Sequence, residues 1–271
     1  MLALEVALLT DRGGRNYNED ACGHWHSDRH LCCVLADGAG GHGGGDIASK
    51  LIVQELIGRF SREPTHNGPA LGSLLRQTNA SLIEQRVPGT PRADMHSTAV
   101  CLVIDFVDHQ AHWTHAGDSR LYWLRGGRVH ARTRDHSLVQ ALVDAGVMSE
   151  AQMHGHAQRS ELRSALGVPA DQLEVSSAEG LDAVQPGDVF MLCTDGLWEF
   201  INDEMLERTL AESATPRADM HSTAVCLVID FVDHQAHWTH AGDSRLYWLR
   251  GGRVHATPAT TAWCRPWSMP A

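Results

Sequence analysis

Apolar positions along this chain fall into two rhythms, and each predicts a kind of element. Continuous apolar runs bounded by turn residues read as buried strands: residues 2–9, residues 31–36 in LCCVLADG, and the run VFMLC that ends in Thr194-Asp195-Gly196. Apolar residues at helical spacing fill two other stretches. In DIASKLIVQELIGRF, Ile47, Leu51, Ile52, Leu56 and Phe60 share a face, and Asp46 reads as the cap of that helix. A second helix is predicted over residues 71–85 with Leu71, Leu74, Leu75, Leu82 and Ile83 inward, after a gap punctuated by Gly68 and Pro69. From Ser97 the pattern turns to strands: STAVCLVIDFV, QAHWTHAGDS and RLYWLRGGRVHA. Gly126-Gly127 inside the last predicts a hairpin, because glycine accepts the positive φ of a tight turn. Ser137 then caps a short helix that Gly146 stops, and Asn202 caps a final helix with Asp203 and Glu204 in its first turn.

A different regularity overrides any smooth reading of the C-terminal part. Residues 90–131 and 215–256 are identical over all 42 positions, an offset of 125 residues. Solenoids repeat at short periods with imperfect copies, so this is not a repeat architecture; perfect identity points to a duplication, a chimera or an assembly fault. Two identical strand segments are expected to compete for one place in a sheet. The chain therefore divides into residues 1–214, the copy at 215–256, and an aperiodic tail at 257–271 expected to stay loose.

Composition narrows the function. At 271 residues and 43% hydrophobic content the chain can bury a sizeable core. A formal charge of −11 without a basic stripe argues against nucleic-acid binding, which draws its affinity from clustered Lys and Arg. No apolar run approaches a membrane span and the first residues lack a basic leader, so no membrane partner and a cytoplasmic location are expected. Seven cysteines without a Cys-x-x-Cys pair, with Cys32, Cys33, Cys101 and Cys193 in apolar runs, read as buried thiols. Eighteen histidines show no zinc-like spacing.

The chemistry sits where apolar runs end. Asn18-Glu19-Asp20, Asp37-Gly38, Asp118 in Gly-Asp-Ser-Arg, and Asp195-Gly196 each adjoin a predicted strand. Taken alone, Asp37-Gly38 is as well explained by an ordinary strand-to-helix turn. Carboxylates converging from several strands, with glycines between them, are instead the ligand set of a hard cation such as Mg²⁺ or Mn²⁺. Two such ions can activate a water and clamp a phosphoryl group.

These signals belong to seven motifs in a fixed order: Asp11-x-Gly13 with Arg15-x-x-Asn18-Glu19-Asp20; Asp37-Gly38-Ala39-Gly40-Gly41-His42; Ala48-Ser49; Ser97-Thr98-Ala99-Val100; Gly117-Asp118-Ser119-Arg120; Asp135-His136-Ser137; and Thr194-Asp195-Gly196-Leu197-Trp198. Over about residues 8–213 the chain resembles the metal-dependent type 2C protein serine/threonine phosphatases, above all the compact bacterial ones. The resemblance implies a four-layer αββα sandwich of two mainly antiparallel sheets flanked by helices. It implies two catalytic Mn²⁺ or Mg²⁺ ions and a weaker third. Asp37 would bridge the two ions and the Gly38 carbonyl would add a ligand. Asp195 would bind the first ion, Glu19 and Asp20 would bind or orient waters around the second, and Asp118 with Asp195 would hold the third. Arg15 would grip phosphate oxygens with its planar fork, although a surface salt bridge explains an isolated arginine as well. Residues 132–168, with His154, His156 and Arg159, would form a mobile flap. His42 is either a general acid or a polar cap of the glycine turn, and the cap is preferred because Ala39 follows Asp-Gly.

The implied activity is hydrolysis of phosphoserine and phosphothreonine on proteins by a metal-bridged hydroxide. Its partners would be phosphoprotein substrates and a serine/threonine kinase with its targets, and the protein would act as a monomer. One departure keeps an alternative open. The family follows its last helix with an Asp-Asn motif that completes the first metal site, and here the copied segment stands in that place. Asp219 is a candidate substitute for the missing carboxylate; otherwise the chain would be an impaired pseudophosphatase that binds a phosphorylated partner or regulates a kinase. An acidic structural domain with coincidental motifs is a third reading.

Overall fold

The computed structural model describes residues 5–10, 17–39, 44–65, 67–153, 155–178, 183–185, 188–199, 201–211, 226–230, 245–250 and 253–256. These form two compact units. One holds Glu19–Ser119 and Thr133–Asp182; the other holds the described residues up to Asn18, Arg120–Arg132 and those from Ala183 onward. Each unit is built on one mainly antiparallel sheet with its own helices, so the predicted mixed α+β class with two antiparallel sheets is present.

The first unit is organised by β3, His30–Ala39. Its residues 31–36 are each no more than 1% exposed, which is why the run reads as continuously apolar rather than alternating. It lies between β2 (Asp20–His26) and β5 (Ala99–Asp105), which in turn pairs with β6 (Gln110–Ala116) and then β9 (Ser176–Ser177). A two-residue strand, β4 (His96–Ser97), pairs with the far end of β3. The strand β2 was not legible beforehand, because DACGHWH carries neither an apolar run nor a clean alternation of apolar and polar residues.

Helix α1 (Gly45–Arg62) packs on β2 and β3 through Ala48, Ile52, Leu56 and Phe60, one residue per turn. Gly23 on β2 permits this approach, since a Cβ there would lie 2.9 Å from Ile57. Asp46 is not the cap of α1. The cap position is Gly44, and Asp46 sits in the first turn bonding Lys50 at 2.9 Å. The glycine-rich approach starts the helix earlier than the polar residue implied. Helix α2 (Gly68–Glu84) also starts earlier than predicted: Asn67 Oδ1 accepts the Ala70 N–H at 2.8 Å, and Pro69 occupies the first turn, where its missing N–H costs nothing.

The stretch between Arg132 and β9 carries α3 (Leu138–Asp144) and α4 (Glu150–Met153). Ser137 caps α3 through the Gln140 N–H, and Gly146 follows its end at φ +70°, both as predicted. The stretch is stitched at its base, where the Leu138 N–H donates to Glu161 O at 2.9 Å and Ser97 bridges to Leu166.

In the second unit β7 (Arg120–Arg125) and β8 (Arg128–Arg132) form the predicted hairpin, with Gly126 and Gly127 at φ +58° and +75°. On the other side of β7 lies β10 (Val189–Cys193), which leads into the single turn α5 (Asp195–Trp198). Helix α6 (Asp203–Ala211) is capped as predicted, by Asn202 Oδ1 on the Met205 N–H at 2.8 Å. The unit's core joins Tyr122, Leu124, Met191, Cys193, Leu197, Trp198 and Leu206. The remaining strands are β1 (Glu5–Thr10) and three from the copied segment, β11 (Cys226–Asp230), β12 (Arg245–Arg250) and β13 (Arg253–Ala256). Their order is β13-β12-β1-β11-β10-β7-β8. The two copies thus occupy different places rather than one: β5 lies between β3 and β6, and its duplicate β11 lies between β1 and β10.

Candidate metal and phosphate site

Two strand ends bring the first acidic groups together. In the β2–β3 register Asp20 is directly opposite Asp37. Directly opposed residues on antiparallel strands hold their Cβ atoms about 5 Å apart, and like charges so placed repel. The pair is therefore a place where a cation relieves strain that the sheet imposes. Beside it the Gly38 N–H donates to Glu19 O at 3.0 Å, so Glu19, Asp20, Asp37 and Gly38 share one end of the ladder. The start of α1 closes in on the same point. A Cβ on Gly38 would fall 2.1 Å from Gly45 O, and one on Gly45 would fall 2.6 Å from Glu19 Oε1. Only glycine fits at either position, and the Glu19 carboxylate rests against the helix N-terminus, where negative charge is favoured.

The backbone of Asp37 is pinned by the entry to β5. Its N–H donates to Thr98 Oγ1 at 3.1 Å, and its carbonyl accepts from the Thr98 N–H and the Ser97 hydroxyl, both at 2.8 Å. The second acidic turn of this unit, Gly117-Asp118-Ser119, is held from two sides. Thr98 Oγ1 and Ser119 Oγ are 2.6 Å apart, and Gly117, at φ +104°, leaves room for the Thr98 methyl, which a Cβ would meet at 2.6 Å. On the other side His136 is bonded twice to Gly117: its N–H donates to Gly117 O at 2.9 Å, and its Nδ1 accepts the Gly117 N–H at 3.2 Å. With Nδ1 accepting, Nε2 carries the proton, and it lies 2.8 Å from Ser176 Oγ. The ring stacks on His115 at 4.6 Å, and His115 Nε2 donates to Arg134 O at 2.8 Å. Burial, with the neighbouring His115 and Arg163, pushes the His136 imidazole down to about 3; burial also lowers His115. Both rings are neutral braces at physiological pH.

The sequence-predicted residues divide accordingly. Glu19, Asp20, Asp37 and Gly38 are brought together, and the Asp118 turn is joined to Asp37 through Thr98. Asp195 opens α5 in the other unit. Arg120, which follows Ser119, lies with its guanidinium 3.8 Å from the Trp198 ring centre and bonds the Tyr122 hydroxyl at 3.1 Å. Arg15, Asp11, Gly13, His42, His154 and Asp219 lie outside the described residues. The bracing roles of Thr98 and His136 were not legible, although both residues stand inside quoted motifs. A buried hydroxyl or imidazole beside an acidic turn is the signal, and it depends on pairings distant in sequence.

The donor set suits a hard cation: carboxylate and carbonyl oxygens without thiolate or imidazole. Among the described residues no group of three or more His, Cys, Asp and Glu side chains is arranged to hold a metal ion. The Asp20–Asp37 pair is still enough for an ion such as Mg²⁺, which binds through one or two carboxylates and keeps several waters. No helix among the described residues is long and apolar enough to cross a membrane.

Comparison with known proteins agrees with this chemistry. The family model described as protein phosphatase 2C matches residues 12–217. The serine/threonine protein phosphatase PstP of Mycobacterium tuberculosis is 34% identical over 221 residues, covering 79% of this chain and 41% of PstP. The protein phosphatase PhpP of Streptococcus pneumoniae is 31% identical over 231 residues, covering 82% of this chain and 90% of PhpP. The chain thus spans less than half of the first relative and nearly all of the second. The crystal structure of the PstP catalytic domain in complex with two manganese ions is similar with a TM-score of 0.65 at 28% identity, over 86% of this chain and 100% of that one. On these grounds the chain belongs to the protein phosphatase 2C family.

Proposed function

We propose that this protein hydrolyses phosphoserine and phosphothreonine on proteins, using two divalent ions, Mn²⁺ or Mg²⁺, with a weaker third. The observation that carries the reading is the Asp20–Asp37 pair opposed across the β2–β3 ladder, with Glu19 and the Gly38 carbonyl at the same end, in a chain of this family. When bound, the ions supply Lewis acidity that lowers the pKa of water and draws charge from the phosphoryl group.

The chain's own residues do the rest. Asp37 and the Gly38 carbonyl would hold the ions, Glu19 and Asp20 would bind them or orient their waters, and the Asp118 turn would supply a further carboxylate. Asp195 is assigned by its motif alone, and so is Arg15, whose fork fits two non-bridging phosphate oxygens. Gly38 and Gly45 exclude side-chain bulk from the approach to Glu19. The substrates we propose are the targets of a serine/threonine kinase in the cytoplasm, where Cys22, Cys32, Cys33, Cys101 and Cys193, none of them in a disulfide, stay reduced.

The test is hydrolysis of a phosphothreonine peptide with Mn²⁺ and with EDTA, for the wild type and Asp37→Asn. Hydrolysis is expected only with metal, and the variant should lose at least about a hundredfold, the scale of removing one electrostatic contact to a reacting centre. Equal turnover in EDTA would refute the proposal.

A further inference from the structure

Thr98 stands between the two acidic turns of the Glu19–Ser119 unit and touches both. On the Asp37 side it closes a two-way backbone clasp: the Asp37 N–H donates to Thr98 Oγ1 at 3.1 Å, and the Thr98 N–H donates to Asp37 O at 2.8 Å. On the Asp118 side it meets the residues before and after the carboxylate. Its methyl fills the space above Gly117, and its Oγ1 lies 2.6 Å from Ser119 Oγ. Thr98 is 3% exposed and Ser119 1%, so water cannot replace either hydroxyl partner.

A hydroxyl has one proton and two lone pairs. Thr98 Oγ1 already accepts from Asp37, and its remaining capacity is directed at Ser119. One atom therefore joins the backbone of Asp37 to the turn that carries Asp118. Two carboxylate-bearing turns have no electrostatic reason to stay together without a cation.

We propose that Thr98 is a positioning residue: its hydroxyl, shared with Ser119, fixes the Asp118 turn relative to Asp37 and so preorganises divalent-cation binding. The inference rests on the reading of Asp37 and Asp118 as cation ligands given under Proposed function. It predicts that the hydroxyl matters and the shape does not. Thr98→Val keeps the methyl against Gly117 and removes the bond. Thr98→Ser keeps the bond and removes the methyl.

The experiment is calorimetric Mn²⁺ titration of the full chain, together with amide hydrogen exchange at Asp37 in metal-free protein. Thr98→Val is expected to weaken Mn²⁺ binding about tenfold, the scale of one lost buried hydrogen bond, and to speed exchange at Asp37. Thr98→Ser should stay within about threefold of the wild type. Ser119→Ala should weaken binding several-fold without speeding exchange at Asp37, and the Thr98→Val/Ser119→Ala double variant should be little worse than Thr98→Val, because both remove one shared contact. Wild-type Mn²⁺ affinity in Thr98→Val overturns the inference and leaves the phosphatase reading intact. Failure of the wild type to bind Mn²⁺ at all overturns both. Should Thr98→Val not fold, Ser119→Ala carries the test, and unaltered affinity there overturns the inference equally.

Discussion

Protonating His136 should unfold this protein from the acid side. The ring is 4% exposed, accepts the Gly117 N–H at Nδ1, lies 2.8 Å from Ser176 Oγ at Nε2, and stacks on His115 of β6. A second proton at Nδ1 would set two donors against each other and place a cation beside His115 and near Arg163, which is why burial and these neighbours hold the imidazole at about 3. In the unfolded chain it titrates near 6.5. Between those values the unfolded state binds more protons, so His136 contributes stability above pH 6.5 that is lost as pH falls toward 3. From the two pKa values, the loss is about 2 kcal/mol at pH 5 and about 4 kcal/mol at pH 3. Urea unfolding of metal-free protein at pH 7 and pH 5 measures this directly. The wild type should lose about 2 kcal/mol more between these pH values than His136→Gln, whose amide does not titrate. His115, lowered by the same burial, is common to both proteins and falls out of the difference to first order. Equal losses, or an imidazole resonance for His136 titrating near 6.5, would refute the reasoning.

Two further outcomes are open to measurement. Gly38→Ala places a Cβ 2.1 Å from Gly45 O and 2.6 Å from Glu19 O, both backbone atoms, so the turn itself must move; thermal denaturation should show a loss of about 2–3 kcal/mol or more, and an unchanged melting temperature would contradict the packing. Burial pushes the Cys22 thiol up to about 12 and raises Cys33 well above its ordinary range, while Cys32 is raised first by its contact with Cys101 and then by burial. Iodoacetamide at pH 7.5 followed by mass spectrometry should leave these three unmodified in native protein and label them in urea, since the thiolate is the reactive form.

What the sequence disclosed follows the range of the forces involved. The caps at Ser137 and Asn202 and the stop at Gly146 were legible because each is a bond or a φ angle set within four residues. Asp46 misled for the same reason: a capping residue type stood beside the helix, and the glycine run before it moved the true start two residues upstream of it, to Gly44. In the site, Asp37-Gly38 could be read as a strand leaving the core. That Asp20 lies opposite Asp37 required β2, whose DACGHWH gives no clear period. The Thr98 and His136 braces required contacts 61 and 19 residues apart in sequence.

The duplicated segment separates these ranges within one molecule. RLYWLRGGRVHA forms β7–β8 once and β12–β13 once, and the register is the same: Trp123 opposite Ala131 and Trp248 opposite Ala256, Leu124 opposite Val129 and Leu249 opposite Val254. Even the irregularity after the tryptophan recurs, at Trp123/Leu124 and Trp248/Leu249. A hairpin closed by Gly-Gly carries its own instructions. The CLVID of the same copy behaves oppositely. As part of β5 it pairs with the strand that follows it, β6, at Cys101 opposite Thr114; as β11 both its edges are taken by β1 and β10, at Leu227 opposite Leu8 and opposite Leu192. Its apolar run makes a strand in either setting, but an apolar run satisfies any neighbour of matching length. The partner is therefore chosen by what remains unpaired, and in this chain the C-terminal copy joins β1 to β10 with residues that elsewhere join β3 to β6.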